Sequence, residues 1–291
     1  MNYKRIEIDG LSIFYREAGP ATAPTIVLLH GFPSSSHMFR DLIPLLADEY
    51  HVIAPDYPGF GYSDAPAVGD FDYTFDNLAS IVDRLLTRLG LERYSLYMQD
   101  YGGPVGLRIA AAHPERIVAL VFQNANAYEE GISDAFKPLR PFWEHRTAET
   151  EEAARTLLTR ETTIFQYLHG ARNTENVSPD AWTFDQSLLD RPGNNAIQLE
   201  LLHNYPTNVA LYPAWHQYFR EHQPPTLVVS GANDPFFLPA GQRAFARDLP
   251  AAEVHLLDTG HFALEEDAPA ISGHIRRFMA DKVAKLSRSR R

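Results

Sequence analysis

The feature that most constrains this chain is a set of short, continuously apolar runs recurring between segments with helical spacing. The runs cover residues 25–29, 51–54, 95–98, 117–122, 227–230 and 254–257. A half-buried strand alternates apolar and polar residues, whereas an uninterrupted run bounded by turn residues suits a strand covered on both faces, as in a parallel sheet. Helical spacing at 75–89, 104–112, 240–247 and 270–284 supplies the covering layers. Strand and helix in alternation predict a doubly wound, mostly parallel α/β sheet. Ahead of it, alternating runs at 6–8 and 11–15 flank Asp9-Gly10, a dipeptide that favours a tight hairpin turn, so an antiparallel edge should start the fold.

The interval 127–222 breaks this rhythm. It is rich in Tyr, Trp, Glu and Arg and has helix-like patterns without a buried strand. Structureless connections of that length are rare and usually functional, so the interval is predicted to be a helical cap inserted after the sixth strand. The domain organisation expected is a core of residues 1–126 and 223–291, with a cap at 127–222.

Chemistry concentrates where buried strands end. The run at 94–98 leads through Gln99 and Asp100 into Tyr101-Gly102-Gly103 and a helix. A strand that turns sharply into a helix holds the residue at the apex in a strained conformation, exposed at the carboxyl edge of the sheet, and a small residue two places on lets the helix pass close by. Gly102 is that small residue, and Asp100 stands at the apex. No serine is there, so a serine-esterase mechanism lacks its nucleophile. Two places before the apex such turns usually take a small residue; here it is Met98, so either a somewhat distorted turn or compensating small residues on the neighbouring strand are expected.

Asp100 could be a helix cap and nothing more. Two further residues count against that reading. The strand at 226–230 runs into Gly231-Ala232-Asn233-Asp234, and the strand at 254–257 into Asp258-Thr259-Gly260-His261. Nucleophile, acid and histidine thus follow one another along the chain, each just past a buried strand, and their side chains should converge at one sheet edge. His30-Gly31-Phe32-Pro33 follows the third strand, where the backbone N–H of Phe32 would make half of an oxyanion hole and that of Tyr101 the other half. The loop from Asp56 to Asp64, DYPGFGYSD, lacks the third glycine of a dinucleotide fingerprint and reads as structural.

Over nearly the whole chain, the motifs HGFP, DYPGFGYSD, QDYGG, NDP and GHF resemble those of α/β-hydrolase-fold epoxide hydrolases and haloalkane dehalogenases. The resemblance implies an aspartate nucleophile, a histidine oriented by an acid, a helical cap and no cofactor. A dehalogenase of this kind usually stabilises halide with a Trp directly after the nucleophile, and in one branch with an Asn after the HG pair. Tyr101 and Phe32 stand at those positions. Epoxide hydrolases protonate the ring oxygen with cap tyrosines. Of Tyr128, Tyr167, Tyr205, Tyr212 and Tyr218, the local context of Tyr167 and Tyr205 resembles that of the family's acids. The expected reaction is epoxide hydrolysis through an ester on Asp100, with Asp234 and His261 completing the triad. The alternative is dehalogenation, with Trp143, Trp182 or Trp215 of the cap binding halide. A receptor without turnover is a third reading, and an intact Asp100, Asp234 and His261 set argues against it.

The rest of the composition excludes other chemistry. A formal net charge of -11 repels phosphate backbones and anionic lipid, and the basic tail at 288–291 is too short to reverse it. The first ten residues alternate charged and apolar positions, and no run approaches the roughly 18 apolar residues of a membrane span, so a cytoplasmic protein is expected. The chain has no cysteine, which excludes thiol nucleophiles and disulfides, and its twelve histidines show no metal-ligand spacing, with His30 read as structural. The expected partners are a small apolar electrophile and water, with neither nucleic acid nor membrane, in a monomer or homodimer.

Overall fold

A computed structural model describes residues 1–283; Ala284, where the last predicted helix was to end, and the tail at 288–291 lie outside it. Its centre is an eight-stranded sheet in the order β1-β2-β4-β3-β5-β6-β7-β8. The strands are β1 (Asn2–Ile8), β2 (Leu11–Ala18), β3 (Thr25–Leu29), β4 (His51–Pro55), β5 (Tyr94–Gln99), β6 (Ile117–Gln123), β7 (Thr226–Gly231) and β8 (Glu253–Leu257). The hairpin turns at Asp9 and Gly10, both with left-handed backbone. β1 and β2 pair antiparallel, β2 joins β4 antiparallel, and every pair beyond is parallel. This is the α/β-hydrolase fold.

The continuous apolar runs are explained by what covers each face. Val27, Leu29, Ile53, Leu96, Met98, Leu120, Phe122 and Val228 enter one buried cluster, with α1 (Phe75–Arg88), α2 (Gly102–Ala112) and part of the helical insertion. The alternate residues Ile26, Leu28, Val52, Ala54, Tyr97, Ala119, Val121, Leu227 and Val229 enter a second cluster on the opposite face. Since side chains alternate along a strand, a strand between two helical layers has no face left for polar residues.

Between β6 and β7 the described chain forms helices and no strand: α3 (Arg140–Glu144), α4 (Ala148–Arg155), α5 (Arg160–Leu168), α6 (Pro179–Leu189), α7 (Asn194–Asn204), α8 (Pro206–Ala210) and α9 (Tyr212–His222). Two helices follow in the core, α10 (Pro239–Asp248) and α11 (Leu264–Phe278). α11 begins six residues before its predicted start. The helix runs across Pro269 with a kink, Asp267 holding φ −123° and ψ 21°. No helix among the described residues is long and apolar enough to cross a membrane.

Candidate active site

Asp100 holds φ +48° at the turn between β5 and α2. An L-residue takes that left-handed conformation only where its surroundings impose it. The turn is closed by hydrogen bonds from Asp100 N–H to the Asn124 carbonyl at 3.1 Å and from Gly103 N–H to the Asp100 carbonyl at 2.9 Å. Two glycines make the packing possible. A Cβ at Gly102 would lie 2.1 Å from the Leu29 carbonyl oxygen, and one at Gly31 would lie 2.2 Å from the Asp100 Cβ. Met98 is accommodated from an unexpected direction: the small residue facing it is Gly106 of α2, where a Cβ would lie 2.5 Å from the Met98 sulfur, so the compensation comes from the helix and not from a neighbouring strand.

The two carboxylate oxygens of Asp100 have different surroundings. Phe32 N–H donates to Oδ1 at 2.7 Å, and Tyr101 N–H also donates to this carboxylate. Oδ2 lies 3.9 Å from His261 Nε2. Burial pushes the Asp100 carboxyl up to about 6, against the opposing pull of His261 and the two backbone donors. A carboxylate that is sparingly solvated yet still ionised at neutral pH is a stronger nucleophile than one in water.

His261 is buried, and its Nδ1 lies 2.9 Å from Asp234 Oδ2. Burial alone would lower its pKa; the charge and hydrogen bond of Asp234, with the charge of Asp100, outweigh that and hold it above the ordinary value. Asp234 is oriented in turn by Phe236 N–H on Oδ1 at 2.8 Å and by the Asn124 amide on Oδ2 at 2.7 Å.

Sequence reasoning missed two residues of this network. Asn124, at the end of β6 with φ +47°, donates to Asp234 and to the Gly260 carbonyl at 3.3 Å and accepts from Gly231 N–H at 3.0 Å, tying three strand ends together. Gln99 places its amide nitrogen 3.1 Å from His261 Nε2, while its Oε1 is buried without a partner. Turning that amide over would let Oε1 accept from the protonated imidazole, so Gln99 can serve either charge state of the base. A signal was present for both, because each is a polar residue at the carboxyl end of an otherwise apolar run.

His30 is structural, as expected. Its ring stacks on Tyr57 with centroids 4.1 Å apart, its carbonyl accepts from the Tyr57 hydroxyl at 2.8 Å, and burial lowers its pKa to about 3, which keeps it neutral. The DYPGFGYSD loop is structural too: Asp56 accepts from Ser36 N–H at 2.7 Å and from Tyr62 N–H at 2.8 Å.

Above Asp100 lies a chamber lined by Phe32, Tyr101, Phe136, Leu139, Leu157 and Leu202, with Gln166, Tyr205, Phe236 and His261 completing the wall. Its free volume of about 50 Å³, against the roughly 10–15 Å³ that one water takes up on the same measure, favours a small or slender occupant. Tyr205 is held rigidly, its ring stacked on Trp143 at 5.7 Å and on Phe136 at 5.3 Å. Burial, then the neighbouring Tyr212 and Asp100, push its phenol well above the ordinary value, so it remains a donor.

Tyr167 does not belong to this chamber, which corrects the expectation for it. Its ring stacks on Phe262 at 3.9 Å and its hydroxyl donates to the buried Asp185 at 2.5 Å, within the cluster on the other face of the sheet. Successive residues on a helix point about 100° apart; with Tyr167 turned to Phe262, it is Gln166 that faces the chamber. Of the other cap tyrosines, Tyr128 donates to Asp248 at 3.0 Å and Tyr212 accepts from Asn126 at 3.1 Å. None of the three tryptophans lines the chamber. Trp143 donates its indole N–H to the Leu202 carbonyl at 2.9 Å, and Trp215 is buried beneath the Arg108 guanidinium.

Comparison with known proteins agrees with this architecture. Residues 24–268 match the family model described as alpha/beta hydrolase fold. The chain is 43% identical to an uncharacterised hydrolase of Saccharomyces cerevisiae, over 96% of this chain and 97% of that protein. It is 30% identical to a cis-3-alkyl-4-alkyloxetan-2-one decarboxylase of Shewanella oneidensis, over 88% of this chain and 82% of that one. The crystal structure of haloalkane dehalogenase DbeA from Bradyrhizobium elkani superposes with a TM-score of 0.76 at 25% identity, covering 96% of this chain and 99% of that one.

Proposed function

Because the chain belongs to the α/β-hydrolase-fold family, we propose that it is a hydrolase that opens an epoxide to a vicinal diol through a covalent ester on Asp100. The observation that carries this reading is the pairing, across one apolar chamber, of a buried carboxylate with a phenol. Displacement at carbon sends the leaving group away from the nucleophile, here toward the cap. An epoxide oxygen departs as an alkoxide and needs an acid, and Tyr205 is a protonated donor on that side. A departing halide needs no acid but does need hydrogen-bond donors, and the indoles that could serve lie elsewhere.

In this mechanism Asp100 Oδ2 attacks a ring carbon, the carbon–oxygen bond breaks, and the ring oxygen takes the proton of Tyr205. The product ester keeps Oδ1 as its carbonyl oxygen, already held by Phe32 N–H, with Tyr101 N–H donating to the same carboxyl group. His261 then removes a proton from water, which attacks the ester carbon. The negative charge grows on Oδ1 inside that hole, a contribution of about 3 kcal/mol per donor. Collapse releases the diol, which takes its proton from His261, and the new carboxyl of Asp100 returns its proton to Tyr205. The chain's similarity to a relative named for an oxetan-2-one, another strained oxygen ring, is consistent with an electrophile of this kind.

The test is a panel of small terminal epoxides and primary haloalkanes given to the wild type and to Tyr205→Phe. Diol release by the wild type is expected, and the mutation should slow alkylation of Asp100 by about 10²- to 10⁴-fold while affecting ester hydrolysis much less. Faster release of halide than of any diol by the wild type would assign the protein to dehalogenation.

A further inference from the structure

Gln166 projects from α5 into the chamber wall, 4% exposed, and its carboxamide meets no hydrogen-bond partner among the described residues. Its amide atoms stay accessible, unlike Gln99 Oε1, so the carboxamide opens onto the free space of the chamber. Every other cap residue of the lining except Tyr205 is apolar: Phe136, Leu139, Leu157 and Leu202. A lone carboxamide opening from an otherwise apolar wall is placed to bond a partner brought in by the substrate. Gln166 and Tyr205 both belong to the insertion above Asp100, the side toward which the leaving group departs.

We propose that Gln166 is the second donor to the ring oxygen, its amide N–H bonding the oxygen beside the Tyr205 hydroxyl as the ring opens. This rests on the epoxide reading above. The division of labour follows from chemistry. A carboxamide donates a hydrogen bond but does not give up its proton, so the proton still comes from Tyr205, while Gln166 stabilises the negative charge that develops on oxygen before that transfer is complete. With Tyr167 committed to Asp185, no second tyrosine of the cap is available for the task.

The experiment uses the full chain carrying His261→Gln, in which the ester on Asp100 should accumulate, and follows its mass during a single turnover with 1,2-epoxybutane. Adding Gln166→Leu should slow alkylation roughly tenfold, and Gln166→Glu, which turns a negative charge toward the forming alkoxide, should slow it further. In the His261 enzyme, Gln166→Leu should leave the ester-hydrolysis rate unchanged. It should also leave the thermal midpoint unchanged, because the amide makes no hydrogen bond to the described residues; a purely structural residue would lower it. Should the Leu variant fail to fold, Gln166→Met carries the same expectations. Alkylation within twofold of the parent would remove Gln166 from the reaction and leave the epoxide reading standing if Tyr205→Phe is slow. If the parent is alkylated by no epoxide, the epoxide reading fails first and takes this role for Gln166 with it.

Discussion

At the scale of residues, the site is a balance between burial and countercharge. In the proposed mechanism Asp100 must be ionised to attack, and burial has pushed its carboxyl up to about 6. The alkylation rate should therefore be level above that value and fall about tenfold for each pH unit below it. In the same mechanism His261 must be neutral to activate water, and its pKa is raised, partly by the charge of Asp100. Esterification removes that charge, so His261 should titrate lower in the ester than in the free enzyme. Single-turnover pH profiles would check both limbs. An alkylation midpoint near 4 would show Asp100 to be an ordinary solvated carboxylate. Asp100, Asp234, His261, Phe32 and Tyr101 were legible in the sequence because each position is defined locally, just past a buried run. For Gln99 and Asn124 a polar residue closing an apolar run marks the position but not the role, which depends on β5 lying beside β6 with Gln99 opposite Gln123.

At the scale of elements, the strand–turn–helix at Asp100 depends on close backbone approach. Gly102→Ala should force its methyl onto the Leu29 carbonyl and cost about 1–3 kcal/mol or more. Gly273→Ala, in α11 with open space at its Cβ, should be neutral or stabilising. Urea denaturation of the two variants would decide the matter, and equal stability would mean that β3 and α2 are less tightly apposed than described. The strands were readable from their apolar runs because burial on both faces leaves a composition that little else produces. The cap was readable only as helical, since which face of α5 meets the chamber is set by tertiary packing. One residue of helical rotation separates Gln166 from Tyr167, and that rotation was the difference between the expected residue and the one that lines the chamber.

At the scale of the whole molecule, two apolar layers hold a rigid sheet, and the insertion between β6 and β7 lays helices over its carboxyl edge. In the proposed mechanism the sheet fixes the nucleophile, the base and the oxyanion donors, and the insertion, which lines the chamber, supplies the groups toward the leaving atom. This separation lets one core serve several electrophiles as its cap varies, in keeping with the different activities named among the similar proteins. What unites the proposed steps is that Asp100 itself supplies the first oxygen transferred. The most direct measurement is a single turnover with excess enzyme in water enriched in oxygen-18, using an epoxide that the wild type consumes. The expected result is an unlabelled diol from that turnover, with the heavy oxygen found in the side chain of Asp100. Heavy oxygen in the diol of the first turnover, with Asp100 unlabelled, would mean that water attacks the substrate directly and that Asp100 is not the nucleophile.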